Sequence, residues 1–329
     1  MGIWFFTARR LLIMAPMMLV ISVVCFTVVK LQPGDYATQF LNNPEISQAQ
    51  IERIRAEYGL DKPAGEQYLR WISGLVTRGD FGYSFAYQRP VTDLIAERMG
   101  WTIGIALAAV IFQWLLAIPL GIFSARHPRT RRDYALTGFA FFGLSVPDFF
   151  LAILIMYLLV TGGARSVGGL FSNEFVGAPW SFARLLDFLG HVWLPVLVIG
   201  LAGVASLMRV MRGNYLDMSG APFVSSLRAR GLAEKRVKRH ILKNALNPMV
   251  SIAGMQLPEV FSGTIVASIV LSLPTIGPFF YDALLNHDQY LVMAFLMLIA
   301  FITQVGNLLA DIALAVLDPR IRMGGGSRR

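Results

Sequence analysis

Three ionisable side chains, Asp148, Glu259 and Asp311, fall inside long apolar runs of this 329-residue chain. A charge held within hydrocarbon is costly and normally faces a cavity or a partner, so these positions are where chemistry should be sought. Glu259 follows Pro258 and lies three residues after Gln256, near the middle of its run. It can hydrogen-bond neighbouring helices where the proline frees a backbone group, or it can line a polar path. Asp148 follows Pro147, also near the middle of its run, and the same two roles are open to it. Asp311 stands close to the end of the last run, where a structural role suits it, capping or pairing with nearby arginines. The rest of a catalytic set is missing. The sequence has no glycine-rich phosphate loop and no His-Glu-x-x-His zinc motif, and His127, His191, His240 and His287 are scattered over different loops and run ends. Asp80-Phe81-Gly82 matches a kinase triplet without any other member of that set. The single cysteine, Cys25, permits no intrachain disulfide and no thiolate cluster. The chain is therefore expected to hydrolyse no nucleotide by itself, to hold no metal or cofactor, and not to be an enzyme.

The elements that must carry these residues are membrane helices. Of the residues 55% are hydrophobic and 15% charged, where a soluble domain has about a quarter charged; the mean hydropathy is +0.58. Apolar runs at about 11–29, 101–124, 135–160, 191–210, 248–274 and 290–316 are each long enough to cross a hydrocarbon core about 30 Å thick. The expected fold is all-α and polytopic, with six transmembrane helices. The first run follows Arg9 and Arg10, is longer than a signal-peptide core, and leads into Lys30-Leu31-Gln32-Pro33-Gly34-Asp35 in place of a small-x-small cleavage site, so it is expected to stay as an anchor. Residues 1–30 are its cytoplasmic start and first span. Residues 31–98 form a small ordered extracytoplasmic domain, helical around Ser47 to Tyr58 and Gln67 to Val76. A core of 99–318 holds helices 2–6, and 319–329 is a cytoplasmic tail of linker-like composition. Pro119, Gly121, Pro147, Pro195, Gly200, Gly203, Gly254, Pro258 and Gly263 interrupt the runs and predict kinks and close helix packing.

Charge gives the orientation. With the N-terminus inside, the segments 1–10, 125–134, 209–247 and 317–329 hold 19 of the 29 basic residues and 4 of the 20 acidic ones. The outside segments hold 9 basic and 13 acidic residues. Both termini are thus assigned to the cytoplasm of a bacterial plasma membrane, and the net charge of +9 needs no nucleic acid to explain it. The longest basic loop, 211–247, is expected to fold into short helices at Phe223 to Arg230 and Ala233 to Leu242, parted by Gly231, lying along the membrane surface. Such a loop can be held by anionic lipid heads, or it can dock into another protein.

Arg228-Ala229-Arg230-Gly231-Leu232, followed by His240 and Asn244-Ala245-Leu246-Asn247-Pro248, resembles the coupling-loop signature of ABC-importer permeases of the oligopeptide/dipeptide family. The likeness extends along the chain. It runs through Pro33-Gly34-Asp35, Tyr58-Gly59-Leu60-Asp61-Lys62-Pro63, Gly79-Asp80-Phe81-Gly82-Tyr83-Ser84 and Thr102 to a closing signature of Asn307, Asp311, Asp318 and Arg320 within Leu317-Asp318-Pro319-Arg320-Ile321-Arg322. The long 31–98 segment is similar to that of the B-type subunit.

This resemblance implies a type I importer permease fold. It further implies a heterodimer with a second, C-type permease, two ATPase subunits that use ATP and magnesium, and an extracytoplasmic solute-binding protein. Ser225, Ser226, Arg228, Ala229, Arg230, Gly231 and Leu232 would then couple the spans to an ATPase, as a lever with two states. Asp148, Gln256 and Glu259 would line the pathway, with peptides the expected cargo and oligosaccharides, opines or nickel chelates the alternatives. Two stretches depart from the family pattern. Ser225, Ser226 and Leu227 stand where importer loops read Glu-Ala-Ala, and Leu271-Ser272-Leu273-Pro274-Thr275-Ile276-Gly277 replaces a Phe-x-x-Pro-Gly-Leu-Gly element. Three other readings compete. A secondary transporter would use Glu259 and Asp148 as ion sites but should show paired inverted repeats, which are not visible. A membrane enzyme lacks its nucleophile or metal ligands. A scaffold would leave the basic loop unexplained.

Overall fold

The structure, a computed structural model, describes residues 3–41, 46–164 and 166–317. Eleven helices follow in order: α1 (Ile3–Leu31), α2 (Gln48–Glu57), α3 (Ala64–Arg78), α4 (Val91–Arg126), α5 (Arg131–Ser145), α6 (Asp148–Thr161), α7 (Phe182–Ser219), α8 (Pro222–Ala229), α9 (Glu234–Val270), α10 (Ile276–Leu285) and α11 (Gln289–Leu317). Between α3 and α4 a two-stranded antiparallel hairpin pairs β1 (Tyr83–Ser84) with β2 (Arg89–Pro90), Tyr83 opposite Pro90.

Local chemistry sets several of these boundaries. Ser47 caps α2 by accepting the Gln50 backbone N–H, while the Gln50 side chain accepts from the Ser47 N–H in return. Gly79 ends α3 in the left-handed region at φ 66°, with its N–H on the Leu75 carbonyl and that of Asp80 on the Gly74 carbonyl.

The expected spans are only partly recovered. Helices α1, α4, α7 and α11 are each long and apolar enough to cross a membrane, and the α5–α6 pair makes a fifth if taken together. That pair corrects the single run expected at 135–160. Its two helices are bent by 101°, because Val146 and Pro147 are extended. Proline disfavours helical geometry in the residue before it and removes a backbone donor. Asp148, expected in the middle of a span, is therefore the first residue of α6. At Pro119 and Pro195 the helix continues unbroken, and α9 likewise runs on through Pro258.

The chain divides into two compact units. One comprises residues 8–102 and 274–304. Its core joins Cys25, Phe26 and Val29 of α1 to Trp71 of α3, Val91 and Leu94 of α4, and Leu291 to Ala294 of α11. The Trp71 indole N–H donates to the Phe81 carbonyl at 3.1 Å. Beneath the hairpin lies Asp288, fully buried, which accepts from the Ser84 hydroxyl at 2.6 Å and from the Ala86 and Leu291 backbone N–H groups. Burial pushes its carboxyl above the ordinary range, against the lowering effect of those donors.

The other unit comprises residues 103–273 with the described ends 3–7 and 305–317. Here Val204, Leu207, Met208, Met211 and Tyr215 of α7 face Val237, Ile241, Ala245 and Met249 of α9, with Ala117 and Ala125 of α4 filling in. The α7 residues fall at i, i+3, i+4 and i+7 and the α9 residues at every fourth position, the stripes by which one helix packs on another. At Gly203 of α7 a Cβ atom would stand 2.2 Å from the Gln113 side chain of α4, so a larger residue there would have to displace the Gln113 amide from its bond to Gln256.

Candidate functional site

The loop after α7 is built as an elbow. Proline at the first position of α8 has the φ that a helix needs and no orphan N–H. The helix is tied down by buried Val224, with Phe223, Leu227 and Leu232 packed against the same core. Gly231 closes it at φ +73°: its N–H bonds the Arg228 carbonyl at 2.9 Å, and the Leu232 N–H bonds the Leu227 carbonyl at 3.2 Å. That pair of bonds is a Schellman ending, and the left-handed residue within it disfavours a side chain. Ser225, Ser226, Arg228, Ala229, Arg230 and Gly231 all remain exposed, and Leu232 is half-buried. The Arg228 guanidinium donates to Glu234 at 2.8 Å, and that hydrogen bond holds the exposed Glu234 carboxyl below its ordinary range. The second loop helix is not the separate piece expected at Ala233 to Leu242. It is the beginning of α9, which continues without a break to Val270.

Under this elbow lies an ion pair that sequence reasoning did not find. Asp133, 2% exposed, accepts two N–H groups from Arg212 at 2.8 Å each, the Arg129 backbone N–H at 2.9 Å, and the Ser124 hydroxyl. It ties the end of α4 and the start of α5 to α7, seven residues before α7 ends. Nearby, Arg126 donates to the Tyr215 hydroxyl at 3.3 Å and sits over its ring. The available signal was a lone acid among Arg126, Arg129, Arg131 and Arg132.

The three residues proposed for a pathway share one cavity. A space of about 300 Å³ is lined by Asp148 of α6, Gln256 and Glu259 of α9, Gln113 of α4, and Gly203 and Ser206 of α7, among others. Among the described residues its lining carries two carboxylates and no basic residue. Gln256 is buried and fully engaged: its amide donates to the Gln113 carbonyl oxygen at 3.0 Å and accepts from the Trp114 indole at 2.5 Å. Asp148 is half-buried and makes no hydrogen bond or ion pair to the other described residues. Among the described residues, no group of three or more His, Cys, Asp and Glu could hold a metal ion. Of the closing signature, Asn307 is exposed on α11 and Asp311 half-buried one turn further on; Asp318 and Arg320 lie outside the described residues.

A set of long apolar helices bearing a basic, glycine-hinged elbow is the layout of a transport permease. The chain belongs to the family of binding-protein-dependent transport system inner membrane components, which it matches over residues 117–323, and residues 3–106 match the family's N-terminal component. It is 36% identical to the oligopeptide transport system permease protein AppB of Bacillus subtilis, over 95% of this chain and 98% of that one. It is 31% identical to the dipeptide transport system permease protein DppB of Escherichia coli, covering 96% and 98% of the two chains. With the oligopeptide transport system permease protein OppB of Salmonella typhimurium the identity is 30%, over 96% and 99%. The chain is thus a multi-pass inner-membrane permease subunit of an ABC importer, working with other components of that importer, and the ATPase is a separate subunit.

Proposed function

We propose that the chain forms half of the translocation pathway for peptides, in a heterodimer with a second permease, driven by two ATPase subunits and loaded by an extracytoplasmic binding protein. The observation that carries this reading is the likeness, over nearly the whole chain, to relatives named as oligopeptide and dipeptide permeases. In this reading the chain spans the membrane six times, the sixth span being the apolar part of α9 from Pro248 onward. Both termini are cytoplasmic, residues 31–98 form the extracytoplasmic domain, 99–318 the core and 319–329 the tail. The chain itself binds no cofactor; ATP and magnesium are consumed in its partners.

Ser225 to Leu232 present the exposed face of α8 to an ATPase, and Gly231 sets the angle at which that face is held. The rise of α9 carries displacement from the elbow to Gln256 and Glu259 in the cavity wall. The cavity's two carboxylates favour cargo with a free ammonium or a basic side chain. The test is co-expression with the chromosomal neighbours, reconstitution, and ATP-driven uptake of labelled peptides. Uptake that needs all subunits supports the reading. Sugar, opine or nickel-chelate uptake in its place would change the cargo, and transport by the lone chain without ATP would refute the importer.

A further inference from the structure

The first turns of α9 carry more positive charge than the elbow uses. Lys235, Arg236, Arg239 and Lys243 are all exposed, and Glu234, engaged with Arg228, is the only acid between Asp217 and Glu259. At 3.6 residues per turn the four cations fall within about a quarter of the helix circumference. Buried Val237, Ile241 and Ala245 occupy the opposite side, against α7. The cationic side is therefore a continuous stripe that turns away from the unit's own core. None of the four takes part in an ion pair with another described residue. The stripe also points along the helix toward the membrane. Pro248, where the apolar run begins, lies about 7 Å beyond Lys243 and about 13 Å beyond Arg239 at 1.5 Å per residue. Those distances bring long basic side chains to the level of phosphate groups, with Lys235 and Arg236 about 5–6 Å beyond Arg239 and within a Debye length of it.

We propose that Lys235, Arg236, Arg239 and Lys243 form a binding stripe for anionic phospholipid headgroups of the cytoplasmic leaflet. The proposal rests on the orientation given under Proposed function. The stripe seats the base of the elbow on the membrane surface, while the exposed face of α8 is left for the ATPase. Charge complementarity and continuity with the span select lipid over a protein partner: the cations follow α9 down to the bilayer instead of clustering on α8.

The test uses the whole assembly in nanodiscs of phosphatidylglycerol and phosphatidylethanolamine in a 1:3 mixture, with native mass spectrometry of co-purified lipid. Wild type should retain phosphatidylglycerol in excess of the mixture. Each cation near an anionic surface contributes roughly a fivefold preference, so K235Q/R236Q/R239Q/K243Q should lower the enrichment at least about tenfold after screening. The charge-preserving variant K235R/R236K/R239K/K243R should keep it. Should the glutamine variant fail to assemble, wild type washed at rising salt serves instead, and the enrichment should fall with ionic strength. Unchanged enrichment in the glutamine variant, or salt-insensitive enrichment in wild type, overturns the proposal. So does a glutamine variant that sheds its ATPase subunits with lipid retention intact, since the stripe would then be a protein contact. Failure of the importer reading shows separately, as absent ATP-driven uptake by wild type.

Discussion

Replacing Asp133 by alanine tests whether the ion pair beneath the elbow holds that end of the molecule together. The side chain is 2% exposed and accepts two N–H groups from Arg212, a third from the Arg129 backbone and a fourth hydrogen bond from Ser124. Taking one partner out of a buried pair leaves the other charge uncompensated, which costs about 3–5 kcal/mol. The Arg212 side chain is 30% exposed and can partly rehydrate, so the lower end of that range, about 3 kcal/mol, applies. For a chain of this size that corresponds to a fall of roughly 4 °C in Tm. Fluorescence-detected size-exclusion melts of the detergent-solubilised chain would read it. Asp133→Asn should lose less, because the amide keeps the shape and one acceptor, and the pair Asp133→Asn with Arg212→Gln should lose less than the sum of the single changes. Glu234→Ala is the control, since its partnership with Arg228 is exposed on both sides and screened by water; no resolvable shift is expected. The reasoning fails if Asp133→Ala melts with wild type, or if the two single changes add without coupling.

Three further outcomes are expected. Gly231→Ala puts a side chain into the left-handed region at a cost of about 1–2 kcal/mol, so the assembly should form while uptake per ATP hydrolysed falls; Gly231→Asn should be milder, and equal coupling in both and wild type would detach the elbow angle from function. Asp148→Asn and Glu259→Gln should each lower uptake of lysine-containing peptides severalfold relative to neutral ones in competition assays, and an unaltered ratio would remove the carboxylates from selectivity. Burial raises the Asp288 carboxyl, so its stabilising contribution is complete below the unfolded value, about 3.9, and is lost as pH rises through the raised folded value. Asp288→Asn should flatten that pH slope in melts, and a parallel slope in the variant would show that another group is responsible.

Long-range pattern was legible in the sequence, as was the break at Gly231, but which of the prolines breaks its helix was not. Apolar runs located α1, α4, α7 and α11, but only α11 matches its run within a residue: α1 and α4 begin about eight and ten residues before theirs, and α7 extends nine residues beyond its run at both ends. The helix beginning at Ser47 and the break at Gly231 were readable because both are set within one turn of their own helix. Periodicity could not reveal that Val146–Pro147 bends its segment by 101° while Pro195 leaves α7 whole, since packing decides which proline breaks a helix. Gln256 and Glu259 were read together, and Asp148 separately, as polar residues in apolar runs; that all three face one cavity is a fact of tertiary packing. Asp133 and Arg212, 79 residues apart, and Ser84 and Asp288, 204 apart, left no mark in the sequence beyond a single acid in a basic or an apolar neighbourhood.

The break between α5 and α6 bears on how the chain enters its membrane. At 15 and 14 residues the two helices rise only about 22 and 21 Å, against a hydrocarbon core about 30 Å thick. Neither is long enough to be retained by the insertion machinery as a span in its own right, and the carbonyl groups freed before Pro147 have no water to turn to within lipid. The helices that α6 packs against, α7 and α9, are synthesised after it. In the six-span reading, insertion of this segment is therefore expected to wait for α7, on which both α5 and α6 pack, so that this part enters the membrane as a group of helices.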